Sequence, residues 1–165
     1  VETIAVYWEP KPKIYGFKEV TNLSLLNIGI KPGEMGQWGL RLMELADLDI
    51  GFHLILAKYS KHQSLRLYML LEKVVADSVL SYLGKKINLE SEKYFRLTSP
   101  VELISFQGPH FGDRYGIAYS AFKALDNQGV PVLIAACSGA AVYIVLPEKK
   151  LQEARPLLAE AFEVP

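Results

Sequence analysis

Cysteine is nearly absent: Cys137 is the only one in 165 residues. No disulfide can form within the chain, and a reducing, cytoplasmic setting is expected. Neither sign of charge prevails, since 18 basic residues balance 18 acidic ones. No long-range field therefore draws phosphate backbones or anionic lipid, and neither nucleic acid nor membrane is expected as a partner. The three histidines, His53, His62 and His110, show no ligand spacing, so no metal or cofactor is expected. The start, Val1-Glu2-Thr3-Ile4-Ala5-Val6-Tyr7-Trp8, lacks a basic leader and a cleavage pattern, and does not read as a signal peptide. The longest uncharged apolar stretch, about Val130 to Leu146, holds Cys137-Ser138-Gly139 in its middle. It reads as two buried strands and a turn, not a membrane span.

What is present is a repeat with a period of about 80 residues. Gly36 lies 14 residues before Ile50, and Gly116 lies 14 before Val130. Each glycine follows an apolar run and a turn-rich segment and precedes helical spacing. The first helical face is Trp38, Leu42, Leu45 and Ala46; the second is Ala118, Phe122 and Leu125, with Ala121 beside them. Trp38, Phe122, Tyr68 and Tyr143 read as core. A buried strand follows each helix, Ile50 to Tyr59 and Val130 to Cys137, and then a hairpin partner, Leu65 to Leu71 and Ala140 to Leu146. The polar run Ser60 to Ser64 suits a solvent-exposed turn in the first hairpin.

Each copy then carries a second helix, one with Val75, Val79, Leu80 and Leu83, the other with Leu151, Ala154, Leu158 and Ala161. Pro147 suits the first turn of the last helix. Pro156 predicts a bend or a split into two pieces. An alternating strand, Lys93 to Leu97, closes the first copy; Pro100 breaks the chain, and Val101 to Gln107 opens the second. The fold class is α+β: two ferredoxin-like (βαββαβ) units with antiparallel sheets and helices on one face. The second copy reaches Phe162-Glu163-Val164-Pro165 without a fourth strand, so the N-terminal strand Thr3 to Trp8 is expected to complete it. The first unit, residues 14–99, is then inserted in a second unit of residues 1–9 and 100–165, with Glu9 to Lys13 as the link and Ile14 to Val20 as a further edge strand.

The segment Gly112-Asp113-Arg114-Tyr115-Gly116-Ile117-Ala118 resembles the ACT-domain signature Asp-Arg-Pro-Gly-Val/Ile-Ala, with Tyr115 in place of proline. Gly108-Pro109-His110-Phe111 and the run Leu151 to Phe162 resemble the second ACT unit of the aspartokinase regulatory region. In the first copy Lys31-Pro32-Gly33-Glu34-Met35-Gly36 keeps the glycine but has Gly33 where the acidic residue would stand. The resemblance implies an amino-acid-binding regulatory or sensor protein with no catalysis of its own, a homodimer, and a regulated enzyme as a further partner.

In that reading the strand-to-helix turn does the recognition. Glycine permits close backbone approach, and the start of a helix offers unpaired N–H groups and partial positive charge. An α-carboxylate would dock near Gly116 and Ile117, with Asp113 facing the ammonium. His110, Phe111, Gly112, Arg114 and Tyr115 would shape the pocket. Gly33, Glu34, Met35, Gly36 and Gln37 form the matching loop of the first copy. The plainer alternatives are a conformational role for each glycine, helix capping by Asp113, and a solvated Arg114. A nucleophilic Cys137 with His110 as base is the enzymatic rival; an apolar strand end favours an inert, buried thiol. An RNA-recognition module shares this strand order but needs more aromatic and basic residues than the Leu65–Leu70 and Ala140–Val145 segments supply. The main alternative is an ACT-like dimerisation or docking module with no small ligand.

Overall fold

A computed structural model describes residues 9–59, 65–89 and 95–165. In chain order these form β1 (Phe17–Ile30), α1 (Met35–Asp47), β2 (Leu54–Tyr59), β3 (Leu65–Glu72), a 3-10 turn at Lys73–Val75, α2 (Ala76–Lys86), β4 (Arg96–Phe106), α3 (Ile117–Asp126), β5 (Ile134–Cys137), β6 (Val142–Pro147) and α4 (Leu151–Ala161). The protein is α+β with antiparallel strand pairing. Its contacts divide it into one unit of Asn22–Val101 and another of Val1–Thr21 with Glu102–Pro165.

In the first unit, Asn22–Val101, the strand order is β2-β3-β1-β4. β1 and β3 pair from Leu23↔Glu72 to Ile30↔Leu65, and β2 and β3 from Leu54↔Leu70 to Tyr59↔Leu65. Side chains alternate across a strand, so Leu26, Ile28 and Ile30 share a face with Leu65, Leu67, Met69 and Leu71. That face buries Trp38 and Leu45 of α1 and Val79 and Leu83 of α2 in one core. In the second unit the order is β1-β4-β6-β5. Ile104 and Phe106 of β4 and Val142, Ile144 and Leu146 of β6 pack against Ile117, Ala121 and Leu125 of α3 and Leu151, Ala154 and Leu158 of α4.

Several expectations need correction. The helical face of the second copy is not Ala118 and Phe122: the buried line is Ile117, Ala121 and Leu125, and Phe122 is 41% exposed. α3 starts at Ile117 and α1 at Met35, so helix phase does not carry over with the 80-residue offset. Ala46 is exposed, and Tyr68 and Tyr143 are only half-buried. β2 and β5 begin four residues later than expected and are largely exposed, because each has a neighbour on one side only within its unit. Pro147 ends β6 instead of opening α4, and α4 runs as one helix through Pro156. Pro100 does not break the chain: β4 continues through it, since its fixed φ is compatible with extended backbone. Ile14 to Val20 is not a separate edge strand, because β1 begins at Phe17 and runs on to Ile30. The strand Thr3 to Trp8, the turn Ser60 to Ser64 and the stretch 90–94 lie outside the described residues.

The segment expected to be a link is held in the second unit. The Ile14 amide donates to the Glu163 carbonyl at 3.0 Å, the Glu163 amide to the Pro12 carbonyl at 2.9 Å, and the Tyr15 amide to the Gln107 carbonyl at 2.9 Å. Glu102 is 8% exposed and accepts the Leu151 amide at 2.7 Å, satisfying the start of α4. A carboxylate 49 residues upstream of the helix it caps leaves no local signal.

Candidate functional site

The candidate site of the second unit is the connection from Phe106, the last residue of β4, to Ile117, the first of α3. Its anchors are apolar. Phe106 meets Phe17 at 5.4 Å, Phe162 at 4.8 Å and Phe111 at 6.0 Å between ring centroids, the last edge-on at 90°. Phe111 is 7% exposed and belongs to the core, so its ring anchors the loop. Between the two rings, Gly108 lies where a Cβ would stand 2.2 Å from the Lys13 carbonyl oxygen and 2.7 Å from the Phe111 ring. Gly112 closes on the β5–β6 turn, with the Gly139 carbonyl oxygen 3.5 Å from the place of its missing Cβ.

From Phe111 the chain turns back on itself. The Arg114 amide donates to the His110 carbonyl at 2.8 Å, and the Asp113 amide to the same oxygen at 3.3 Å. His110 Nδ1 lies 3.7 Å from Asp113 Oδ1. Arg114 is not a solvated surface residue: its side chain is 13% exposed, and its guanidinium donates to the Glu9 carboxylate at 3.2 Å and the Glu9 carbonyl at 3.0 Å. Glu9 also pairs with Lys13 at 3.0 Å. The hydrogen bond from Lys13, with the charges of Lys13, His110 and Arg114, holds the Glu9 carboxyl below the usual carboxylate value. A depressed carboxylate stabilises the fold above its unfolded pKa and loses that contribution as pH falls through the folded value. Glu9→Gln is therefore expected to lower Tm at pH 7, and the gap from wild type should close in acid. A gap that persists unchanged below the carboxylate range would show that the ion pair is not its cause.

The loop ends on Gly116, whose φ of +89° is the left-handed conformation that glycine adopts without a Cβ penalty. Gly116 occupies the N-cap position of α3 and brings no side chain to it, so Asp113 is not the helix cap. Ile117 is buried, and Tyr115, standing in the proline's place, is 98% exposed.

The first unit's loop is built differently. Gly33 holds φ +90°, Glu34 is the N-cap of α1 without a side-chain cap bond, and its carboxylate accepts the Lys31 amide at 3.2 Å. Met35 opens the helix and is 49% exposed, and Gly36 and the exposed Gln37 already lie inside it. Gly36 is thus not the corner that matches Gly116; the left-handed glycine of this loop is Gly33. Neither loop gathers a nucleophile and a base. Cys137 is exposed at the end of β5, not buried, yet the atoms around its sulfur push the thiol up from its ordinary value. At neutral pH it is expected to react with a thiol reagent more slowly than free cysteine, and faster as pH rises. Fast, saturable labelling at pH 7 would bring back the enzymatic rival.

No family model matches the sequence, and no curated protein shows significant similarity to it. Solved structures do match. The regulatory subunit of aspartate kinase from Thermus flavus superposes with a TM-score of 0.77 at 18% identity, covering 92% of this chain and 99% of that one. This chain has the fold of the aspartate kinase regulatory region. Aspartate kinase from Synechocystis gives a TM-score of 0.79 at 17% identity over 95% of this chain and 28% of the enzyme. E. coli aspartokinase III in complex with lysine and aspartate gives 0.61 at 16% identity over 95% of this chain and 35% of the enzyme. Isolated regulatory subunits are matched along nearly their whole length, and complete kinases over about a third. The likeness carried by the Gly112–Ala118 motif is therefore borne out as a fold.

Proposed function

We propose that the chain is a regulatory amino-acid sensor made of two ACT units, each a ferredoxin-like βαββαβ arrangement, with no catalysis of its own. The first unit spans residues 22–101, and the second combines residues 1–21 and 102–165. The observation that carries the reading is the corner at Gly116. A left-handed glycine without a side chain stands at the N-cap of a ten-residue helix, at the end of a loop pinned by Phe111 and Arg114. Amides at a helix start favour a carboxylate, and the loop that leads to this one carries His110 and Asp113, 3.7 Å apart. The bound lysine and aspartate of the E. coli enzyme are the kind of ligand this reading assigns to the chain. In this reading the protein works in the cytoplasm and acts on a partner enzyme.

Thermal unfolding against a panel of the twenty amino acids tests it. A ligand at one hundred times its Kd adds about 2.7 kcal/mol, which is about 5–11 °C for a chain of this size. One or a few amino acids should raise Tm by that much, and Gly116→Ala should abolish the response. A flat panel favours the second reading, an ACT-like dimerisation or docking module. That reading is supported by Leu40, Met43 and Leu48, exposed at 61%, 65% and 60% on and just after α1. Apolar side chains so placed suit a partner surface, and a homodimer is the expected form.

A further inference from the structure

We propose that the groove between α3 and β5 of the second unit binds a free amino acid with an apolar side chain, held as its zwitterion. The groove is open to solvent on one side and has a volume of about 670 Å³, within the range of small-molecule pockets. Phe122, Val130, Val132 and Ala135 give it an apolar lining, and Lys123 and Asp126 bring one charge of each sign. It shares no residue with the loop before α3 and does not depend on that loop binding anything.

Burial does not account for Phe122 and Val132. The core stripe of α3 is Ile117, Ala121 and Leu125. Phe122 therefore points away from the densest packing and remains 41% exposed, as does Val132 at 41%. β5 is the last strand of its unit, so no further strand covers this side among the described residues.

The two charges select the occupant. Lys123 and Asp126 are three residues apart on α3, which puts their Cβ atoms roughly 5–6 Å from each other. Among the described residues neither makes an ion pair; the Lys123 ammonium rests 5.3 Å from the centroid of the Tyr119 ring. A hydrocarbon satisfies neither charge, a fatty acid only Lys123, and an amine only Asp126. The interior of a peptide carries neither an ammonium nor a carboxylate on its backbone. A free amino acid carries both on one carbon, matching a cation and an anion one helical turn apart, and its side chain is left to cover Phe122 and Val132.

Calorimetric titration of the whole chain with L-leucine tests the assignment, with leucinamide and N-acetyl-leucine as probes lacking the carboxylate and the ammonium. Leucine should bind saturably and more tightly than either analogue or L-aspartate. Lys123→Gln should weaken leucine about fivefold, the upper range for an exposed ion pair, and leave leucinamide unchanged. Asp126→Asn should weaken leucine to the same extent and leave N-acetyl-leucine unchanged. Ala135→Trp, which fills the groove, should abolish binding. Both charged residues are exposed, so their variants should keep the wild-type Tm. Any of three results overturns the proposal: no heat from leucine at tens of millimolar, leucine affinity unmoved in both charge variants, or equal binding of L-aspartate. Leucine binding that is lost in Gly116→Ala but kept in Ala135→Trp also overturns it, while sparing the loop reading.

Discussion

Phe106→Ala is expected to cost the second unit about 3–5 kcal/mol, the range for removing a buried phenylalanine ring. For a chain of this length that corresponds to a fall in Tm of about 6–20 °C. The ring is 3% exposed and touches three others, Phe17, Phe111 and Phe162, which come from β1, the candidate loop and the end of α4. Its loss removes the shared contact of all three, and a cavity there cannot collapse without moving the loop. Phe106→Ala should therefore also remove any ligand response that depends on the Gly116 corner, even at temperatures where the unit remains folded. Tyr115→Ala is the control. That side chain is 98% exposed, and its removal should change stability by no more than about 0.5 kcal/mol. Denaturant titration of both variants decides the matter. Near-equal midpoints would mean that Phe106 does not support the loop.

That cluster also shows what was legible in the sequence. Period-2 runs such as Leu26, Ile28 and Ile30, and helical runs such as Leu151, Ala154 and Leu158, signal their own structure because each segment has one dominant apolar face. The element order and the α+β class follow from them. So does the family likeness, since the Gly112–Ala118 motif lies on one contiguous turn. Quantities set by distant partners were not legible. Arg114 looks like a surface cation until Glu9, 105 residues away, is seen to bind it. Glu102 looks like an anomaly in an apolar strand until the start of α4 is placed over it. Phe111 reads as a pocket residue because a loop aromatic and a core aromatic have the same local sequence; contact with Phe106 makes it core. The helical phase of the second copy was missed for a related reason. Small Ala121 is fully buried where bulky Phe122 was expected, so close approach of α3 to the sheet, and not side-chain size, set which face turns inward.

Gly108→Ala and Gly36→Ala should move stability in opposite directions, and the contrast separates two meanings of a glycine near a strand-to-helix turn. At Gly108 the added methyl would lie 2.2 Å from a backbone oxygen, that of Lys13, and 2.7 Å from a ring edge of Phe111. Neither neighbour has room to yield. The carbonyl belongs to a residue bridged to Glu163, and the ring is wedged against Phe106. Overpacking of a well-packed core costs about 1–3 kcal/mol, and a clash with unyielding backbone should fall at the top of that range, about 3 kcal/mol. At Gly36 nothing lies within 4 Å of the new Cβ, and the residue is inside α1. Alanine there should gain up to about 1 kcal/mol from helix propensity. If Gly108→Ala were neutral, the segment around Lys13 would not be clamped against the loop. If Gly36→Ala were instead strongly destabilising, Gly36 and not Gly33 would be the true corner of the first unit.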